Sequence, residues 1–487
     1  MTMKTAWRAL ALGAALLVAV LLVKTARLTS RQLPASPLPP AGMDTNAAAE
    51  RLAGALRFRT VSQPAADLDR AAEFRGLREY LARSFPRVHS DLRLELVGDS
   101  LLYEWPGRDP ALAPVLLAAH LDVVPVDPAT VASWAHPPFA GRIADGYVWG
   151  RGAMDDKAAV VAIQEAVEGL LAEGHQPART LFLAFGHDEE IGGHAGAETI
   201  AERLRARGVK LDYVLDEGMI VAEGILPLPR PVALVGVAEK GSLSLELRVD
   251  SEGGHSSIPP PHTAIGILAA AVSRLEAHPV PGGLEGVARQ TFEAIGPEMG
   301  LAGRLVFANL WLFQPLVERR LAARPNTDAV LRTTTAVTII EGGVKENVLP
   351  ARARAVVNFR LRPGDTIAAV TGHVRRVVND PRVAVERYGE TAWEASPVSS
   401  TDSRGFRLLA AAIRGVFPDV VVAPALVLGA TDGRHYAKLT GDVYRFLPQR
   451  CSAEDLKRYH GTNERLSAEG HARGIAFYRE LIRTSTR

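Results

Sequence analysis

Three short apolar runs, Val115–Ala119, Leu181–Phe185 and Tyr213–Leu215, each stop abruptly on polar residues: His120-Leu-Asp122, Gly186-His-Asp-Glu-Glu190 and Asp216-Glu217-Gly218. Runs of this length without polar alternation read as strands buried on both faces. Between the first two lies a helical pattern, with Val160, Ile163, Val167, Leu170 and Leu171 on one face. Buried strands alternating with helices predict an α/β fold with a doubly wound, mainly parallel sheet. Such sheets gather ligands beyond the carboxyl ends of their strands, where all three polar clusters fall.

The texture changes near Glu239. Ser242–Asp250 alternates, with Leu243, Leu245, Leu247 and Val249 on one face, as a half-exposed antiparallel strand does. A helix over Ala264–Leu275, strands over Ala336–Ile340 and Ala355–Leu361 and a helix over Ile367–Val378 complete an inserted α+β unit. The α/β texture returns near Ser396, with a helix over Leu408–Phe417 and a strand over Val420–Val427. A chain of 487 residues exceeds one ordinary core. The expected division is an N-terminal segment (1–25), a Pro-rich linker (26–45), a catalytic domain in two parts (46–240 and 391–487) and an inserted lid (241–390).

Lys4 and Arg8 precede the apolar run Ala9–Val23, and Lys24, Arg27 and Arg31 follow it. As a helix this run spans roughly 22 Å, short of a hydrocarbon core of about 30 Å. That suits a signal segment, or an anchor extended by Trp7 and by snorkelling basic side chains. Lys24 sits where signal cleavage wants a small residue, and Pro34, Pro37, Pro39, Pro40 and Gly42 read as a semi-extended spacer. Together these favour a membrane-anchored or exported protein with its catalytic domain outside the cytoplasm; the alternative is a helix buried in the domain.

Lys plus Arg (56) balance Asp plus Glu (54), so nothing asks for nucleic acid. Cys451 is the single cysteine, which excludes an intrachain disulfide and thiolate-rich metal sites. Any metal must be held by imidazoles and carboxylates. Candidate ligands are His120, Asp155, Glu190, Asp216 and His460, a set suited to two Zn²⁺ per chain, with Co²⁺ or Mn²⁺ able to take the same places. With so few ligands one carboxylate must bridge, and Asp155, on a glycine-rich turn before a helix, is placed for it. Asp122 lies two residues after His120 and can accept its second N–H. Glu189 and Glu190 point apart on an extended backbone, leaving one to bind and one to act as base. Two metals about 3.5–4 Å apart can share a water of lowered pKa, so no nucleophilic Ser or Cys is needed, and the sequence has no Gly-x-Ser-x-Gly elbow.

The blocks Ala119-His-Leu-Asp-Val123, Gly150-Arg-Gly-Ala-Met-Asp-Asp-Lys157, Gly186-His-Asp-Glu-Glu190, Leu215-Asp-Glu-Gly218 and His460-Gly-Thr-Asn-Glu464 resemble, in order, those of the dinuclear zinc aminoacylase and carboxypeptidase family. The resemblance runs from about residue 50 to the C-terminus. It is strongest to the carboxypeptidase S and N-fatty-acyl-amino-acid synthase/hydrolase branch. It implies that His120 and Asp216 hold one zinc, that Glu190 and His460 hold the other, and that Asp155 bridges. It also implies Glu189 as general acid/base, Asp122 as orienter and a cis Asp155–Asp156 peptide. In the lid, His255 would polarise the scissile carbonyl, in some members across a dimer, so a homodimer through the lid is an implied partner. Asn347 and Arg434 would bind substrate, Arg434 as the clamp for a free α-carboxylate. His435 departs from the pattern and could bind substrate or compete as a ligand.

The implied activity is hydrolysis of the amide bond of N-acyl-amino acids or short peptides, reversible near equilibrium. A dinuclear aminopeptidase or dipeptidase is the alternative enzyme, and a binding protein on a dead hydrolase fold the alternative class. The apolar stretch Leu301–Leu321, with Trp311, Phe313 and Leu316, could line a lipid groove or serve lid packing.

Overall fold

The computed structural model describes residues 3–38, 44–63, 68–389 and 391–487. Each apolar run is a strand: β1 (Val115–His120), β2 (Leu181–Gly186) and β3 (Tyr213–Asp216), followed by β4 (Val232–Glu239). The chain then crosses into the lid through β5 (Gly241–Asp250) and β6 (Arg352–Leu361), and returns as β7 (Val421–Val427) and β8 (Val443–Arg445). β1 pairs in parallel with β2 on one side and β3 on the other, and β8 pairs in parallel with β3. The register sets His120 level with Gly186 and Arg445 level with Asp216, so the polar clusters emerge along one edge. Helices Lys157–Ala172, Arg404–Val416 and Ala468–Ser485 bury one face of the sheet, and Ala197–Ala206 buries the other. This is the doubly wound arrangement expected, with antiparallel strands at its margins.

The lid is a four-stranded antiparallel sheet in which β5 and β6 are central, covered on one face by helices Ala264–Ala277 and Ile367–Val378. Its entry and exit cross at Gly241. A Cβ there would lie 2.5 Å from Ala395 N and 2.5 Å from Trp393 O, so only glycine admits the crossing. The adjacent Lys240 is 1% exposed, and its ammonium donates to Arg332 O at 2.7 Å. Burial pulls its pKa down to about 8. A lysine in the unfolded chain titrates near 10.4, so between those values the unfolded state binds the extra proton and stability rises with pH. From this group the protein gains roughly 2 kcal/mol between pH 7.5 and 9.5. Urea unfolding at the two pH values should show that gain in the wild type and its loss in Lys240→Met.

Two contacts reach across the expected domain boundaries. Within 241–390, helix Gly286–Ile295 leaves the lid core and packs on β7, with Ile295 beside Val232, Val421 and Ala423. The segment expected to be a spacer is also seated: Gln32 exchanges hydrogen bonds with the backbone of Val422 (2.7 and 3.0 Å), and Leu38 N donates to Gly415 O (2.9 Å). Both contacts have one cause. Among the described residues β7 pairs only with β4 and is a sheet edge, whose open backbone groups and apolar face need partners. Pro39, Pro40, Gly42 and the expected lid end at residue 390 lie outside the described residues.

Met3–Arg27 is one continuous helix, longer than the apolar run at both ends, and long and apolar enough to cross a membrane. Its most apolar window is 6% buried, so it is not a core helix of the domain.

Candidate dinuclear metal centre

The site is assembled by loops that leave the sheet at one edge. The Gly150–Lys157 turn carries Asp155, and the Asp155–Asp156 peptide is cis, as the resemblance implied. Glu464, fully buried, holds that turn: it accepts from Met154 N (2.8 Å) and Asp155 N (3.2 Å) and pairs with Arg151 (2.7 Å). Arg151 in turn donates to His460 O at 3.2 Å. The two blocks, bonded across at least 309 residues of sequence, are therefore one structural unit that sets Asp155 against His460.

Asp155 faces both imidazoles. Its Oδ1 lies 3.0 Å from His120 Nε2 and its Oδ2 3.1 Å from His460 Nε2. Glu190 Oε2 lies 3.3 Å from His460 Nε2, and Glu217 Oε1 3.5 Å from His120 Nε2. Donors bound tetrahedrally at about 2.0 Å to a common zinc sit about 3.3 Å apart, the spacing seen in both halves. Glu190 Oε1 is buried with no hydrogen-bond partner, a donor atom left over for a cation.

The electrostatics agree. Burial opposes charge on His120, yet the carboxylates of Glu217, Asp122 and Asp155 hold its imidazole well above the ordinary value. Hydrogen bonds to Asp155 and Glu190 push His460 up to about 10. Burial, then neighbouring carboxylates, raise Glu189, Glu217 and Asp432 well above the usual range, against the pull of His120. Metal ions compete with protons for donors of these types.

The structure brings together His120, Asp155, Glu190 and His460, but not Asp216. Asp216 is the last residue of β3 and shares the face of Val214. There it accepts the Gly433 N–H at 2.5 Å, near the buried Tyr436 and Val443. Glu217, one residue on, faces His120 instead. That the residue just past the strand's end, and not its last residue, meets His120 is invisible in the Asp-Glu pair itself.

Asp122 does more than orient His120. Its carboxylate is 3.4 Å from His120 Nδ1, which bonds the Asp122 carbonyl at 2.9 Å, while its two oxygens accept Glu189 N and Glu190 N at 3.1 Å each. Glu189–Ile191 is a 3₁₀ turn rather than extended chain, ended by Gly192 at φ 108°. The turn, not strand alternation, separates the two glutamates.

A cleft of about 500 Å³ opens over this cage, lined by Asp155, Glu189, Glu190, Glu217 and His460 on one side. Arg434, Arg360 and Trp393 form the other. Arg434 is fixed by Gly192 O (2.7 Å) and stacks on Trp393 at 4.6 Å. Arg360, from the lid strand β6, and Trp393 were not foreseen; an arginine in an alternating strand carries no local signal of its cleft. His435 packs outside the cage, bonded to Gly192 O (3.0 Å) and 4.0 Å from Glu198. His255 and Asn347 are exposed on the lid ribbon formed by Gly254–His255 and Val348–Leu349, and do not line the cleft.

A doubly wound sheet with an inserted α+β lid, and a carboxylate–imidazole cage beneath a cleft between them, defines a hydrolase of the metallopeptidase and amidohydrolase class. The family model for peptidase family M20/M25/M40 matches residues 116–484, and the chain belongs to that family. It is 43% identical to a probable carboxypeptidase S-like 2 of Dictyostelium discoideum over 96% of this chain and 91% of that protein. It is 44% identical to the N-fatty-acyl-amino acid synthase/hydrolase PM20D1 of Xenopus tropicalis, over 90% of this chain and 85% of that one. Carboxypeptidase S of Saccharomyces cerevisiae is 34% identical over 90% and 84%. In fold it matches the M20 metallo-carboxypeptidase Sso-CP2 from Sulfolobus solfataricus, with a TM-score of 0.64 at 19% identity, covering 91% of this chain and 99% of that one.

Proposed function

We propose that the protein is a zinc-dependent hydrolase of the amide bond of N-acyl-amino acids, or short peptides, with a free C-terminal carboxylate. The observation that carries this reading is the facing of two guanidiniums, Arg434 and Arg360, across one cleft from the His120–Asp155–His460 cage. One Zn²⁺ would be held by His120, Asp155 and Glu217, the other by His460, Asp155 and Glu190, with Co²⁺ or Mn²⁺ able to replace it. So bound, the pair supplies Lewis acidity and lowers the pKa of water toward about 7.

The chain's own groups do the rest. Arg434, prefixed by Gly192 O and Trp393, takes the substrate carboxylate as a fork, with Arg360 beside it. This places the amide over the cage. Glu189, half-buried at the cleft and with its carboxyl raised well above the usual range by desolvation, takes the proton of the attacking water and delivers it to the leaving nitrogen. The same sites run the condensation in reverse. A free α-amine would meet two positive charges in this cleft, which disfavours an aminopeptidase. The 42–44% identical N-fatty-acyl-amino acid synthase/hydrolases support an acyl-amino-acid substrate. The largely exposed helix Met3–Arg27 supports a membrane-anchored or exported protein.

The test is turnover of N-acyl-leucines of graded acyl length beside leucine p-nitroanilide, with zinc-loaded protein. Acyl-leucine cleavage abolished by chelation is expected; preference for the anilide would overturn the reading. Losing a charged hydrogen bond costs about 1.5–3 kcal/mol, so Arg434→Met should raise KM by roughly 10- to 150-fold with a smaller change in kcat. His255 and Asn347, exposed and off the cleft, fit service in the partner's cleft of a lid-mediated homodimer. Mixing the inactive variants His255→Ala and Glu189→Gln should then restore part of the activity; no recovery would retire that role.

A further inference from the structure

We infer that helix Leu310–Ala322, in the lid insertion, is a second membrane contact, lying in the bilayer interface beside the N-terminal helix. This rests on the reading of Met3–Arg27 as a membrane helix.

The two elements are joined at one point. Asn309, fully buried, donates from Nδ2 to Leu21 O at 3.2 Å and approaches Thr25 Oγ1 at 3.4 Å. Arg304 donates to Leu28 O at 3.0 Å, and Lys24 lies 5.4 Å above the Trp311 ring. The described side chains from Met3 to Val20 are all exposed, and burial of this helix begins at Leu21. At 1.5 Å per residue that free stretch spans about 27 Å, close to a hydrocarbon core of about 30 Å. Its boundary therefore falls at Leu21–Thr25, where Asn309 is bonded and helix Leu310–Ala322 begins. A Trp beside a Lys at that depth is the usual furniture of a membrane interface.

The helix itself is two-faced. Leu310 and Val317 are buried with Leu284, Ala288 and Leu331. Its outer face presents Trp311 (55% exposed), Leu312 (41%), Pro315 and Leu316 (57%), then ends on exposed Arg319 and Arg320. Clustered apolar residues on a charged-ended helix lie naturally in the headgroup–acyl boundary, with the arginines reaching lipid phosphates. Water is a poor neighbour for such a patch. Continuity with the anchor names the bilayer as its cover. Two contacts instead of one would fix the tilt of the catalytic unit and hold its cleft near amphiphilic acyl substrates.

The test places a nitroxide at Leu316→Cys, Ala14→Cys or Val344→Cys in the full chain, reconstituted in phosphatidylcholine–phosphatidylglycerol vesicles. Cys451 is buried and should not compete for label. Accessibility to oxygen, which concentrates in lipid, and to a water-soluble nickel chelate is then read. At 316 the expected result is loss of nickel accessibility with oxygen accessibility retained, while 344, 93% exposed on the lid, keeps nickel accessibility. Nickel accessibility at 316 with a lipid-like signal at 14 would overturn the inference and leave the anchor standing. Aqueous signals at both would overturn both. Loss of both accessibilities at 316 with dipolar broadening would assign the face to a second copy and overturn the bilayer.

Discussion

Glu189→Gln is expected to bind the metal of the wild type in full and to lose turnover by about 10²- to 10⁴-fold, the usual range for a positioned general acid–base. The backbone N–H of Glu189 is held by Asp122, and its carboxylate stands outside the ligand contacts that join Asp155, Glu190 and His460. Glutamine has the same shape and removes only the proton-carrying function. Elemental analysis and steady-state kinetics on one preparation check both halves. A variant that turns over normally would remove Glu189 from the chemistry, whereas one that has lost metal would make it a ligand.

The second large effect separates two neighbours. Glu217→Gln should shed one of two metal equivalents on dialysis and lose kcat/KM by at least about 100-fold, the upper end of what even outer-sphere partners cost. Asp216→Asn should keep both equivalents. It still offers an oxygen to the Gly433 N–H, so a charge-assisted bond worth about 1.5–3 kcal/mol gives way to a neutral one worth about 0.5–1.5, a loss of roughly 1–1.5 kcal/mol read as a lower midpoint of urea unfolding. The reverse outcome, metal lost in Asp216→Asn and kept in Glu217→Gln, would return Asp216 to the cage.

The pair shows how far the sequence reaches. Asp216-Glu217 is legible as a polar cluster ending a buried strand, because apolar runs and their punctuation are local. Which of the two carboxylates turns toward His120 depends on where β3 ends and how the chain bends after it, and that is set by the tertiary fold. Glu189 and Glu190 repeat the lesson: their separation comes from a 3₁₀ turn capped by Gly192, not from the extended chain their adjacency suggested. Glu464 was legible only as part of a block, although it ties His460's segment to Asp155's turn.

The amino-acid order alone determined the α/β framework, the inserted lid, the imidazole–carboxylate ligand chemistry and the apolar N-terminal helix. All follow from hydrophobic period, turn residues and the single cysteine. Tertiary structure alone decided that Arg360 of the lid joins Arg434 over the cage, that Gln32 and helix Gly286–Ile295 cover the open edge of β7, and that Asn309 grips the N-terminal helix. Those contacts join residues far apart in sequence. Their partners are chosen by which sheet edges and carbonyls the finished fold leaves unpaired, and no local pattern carries that information.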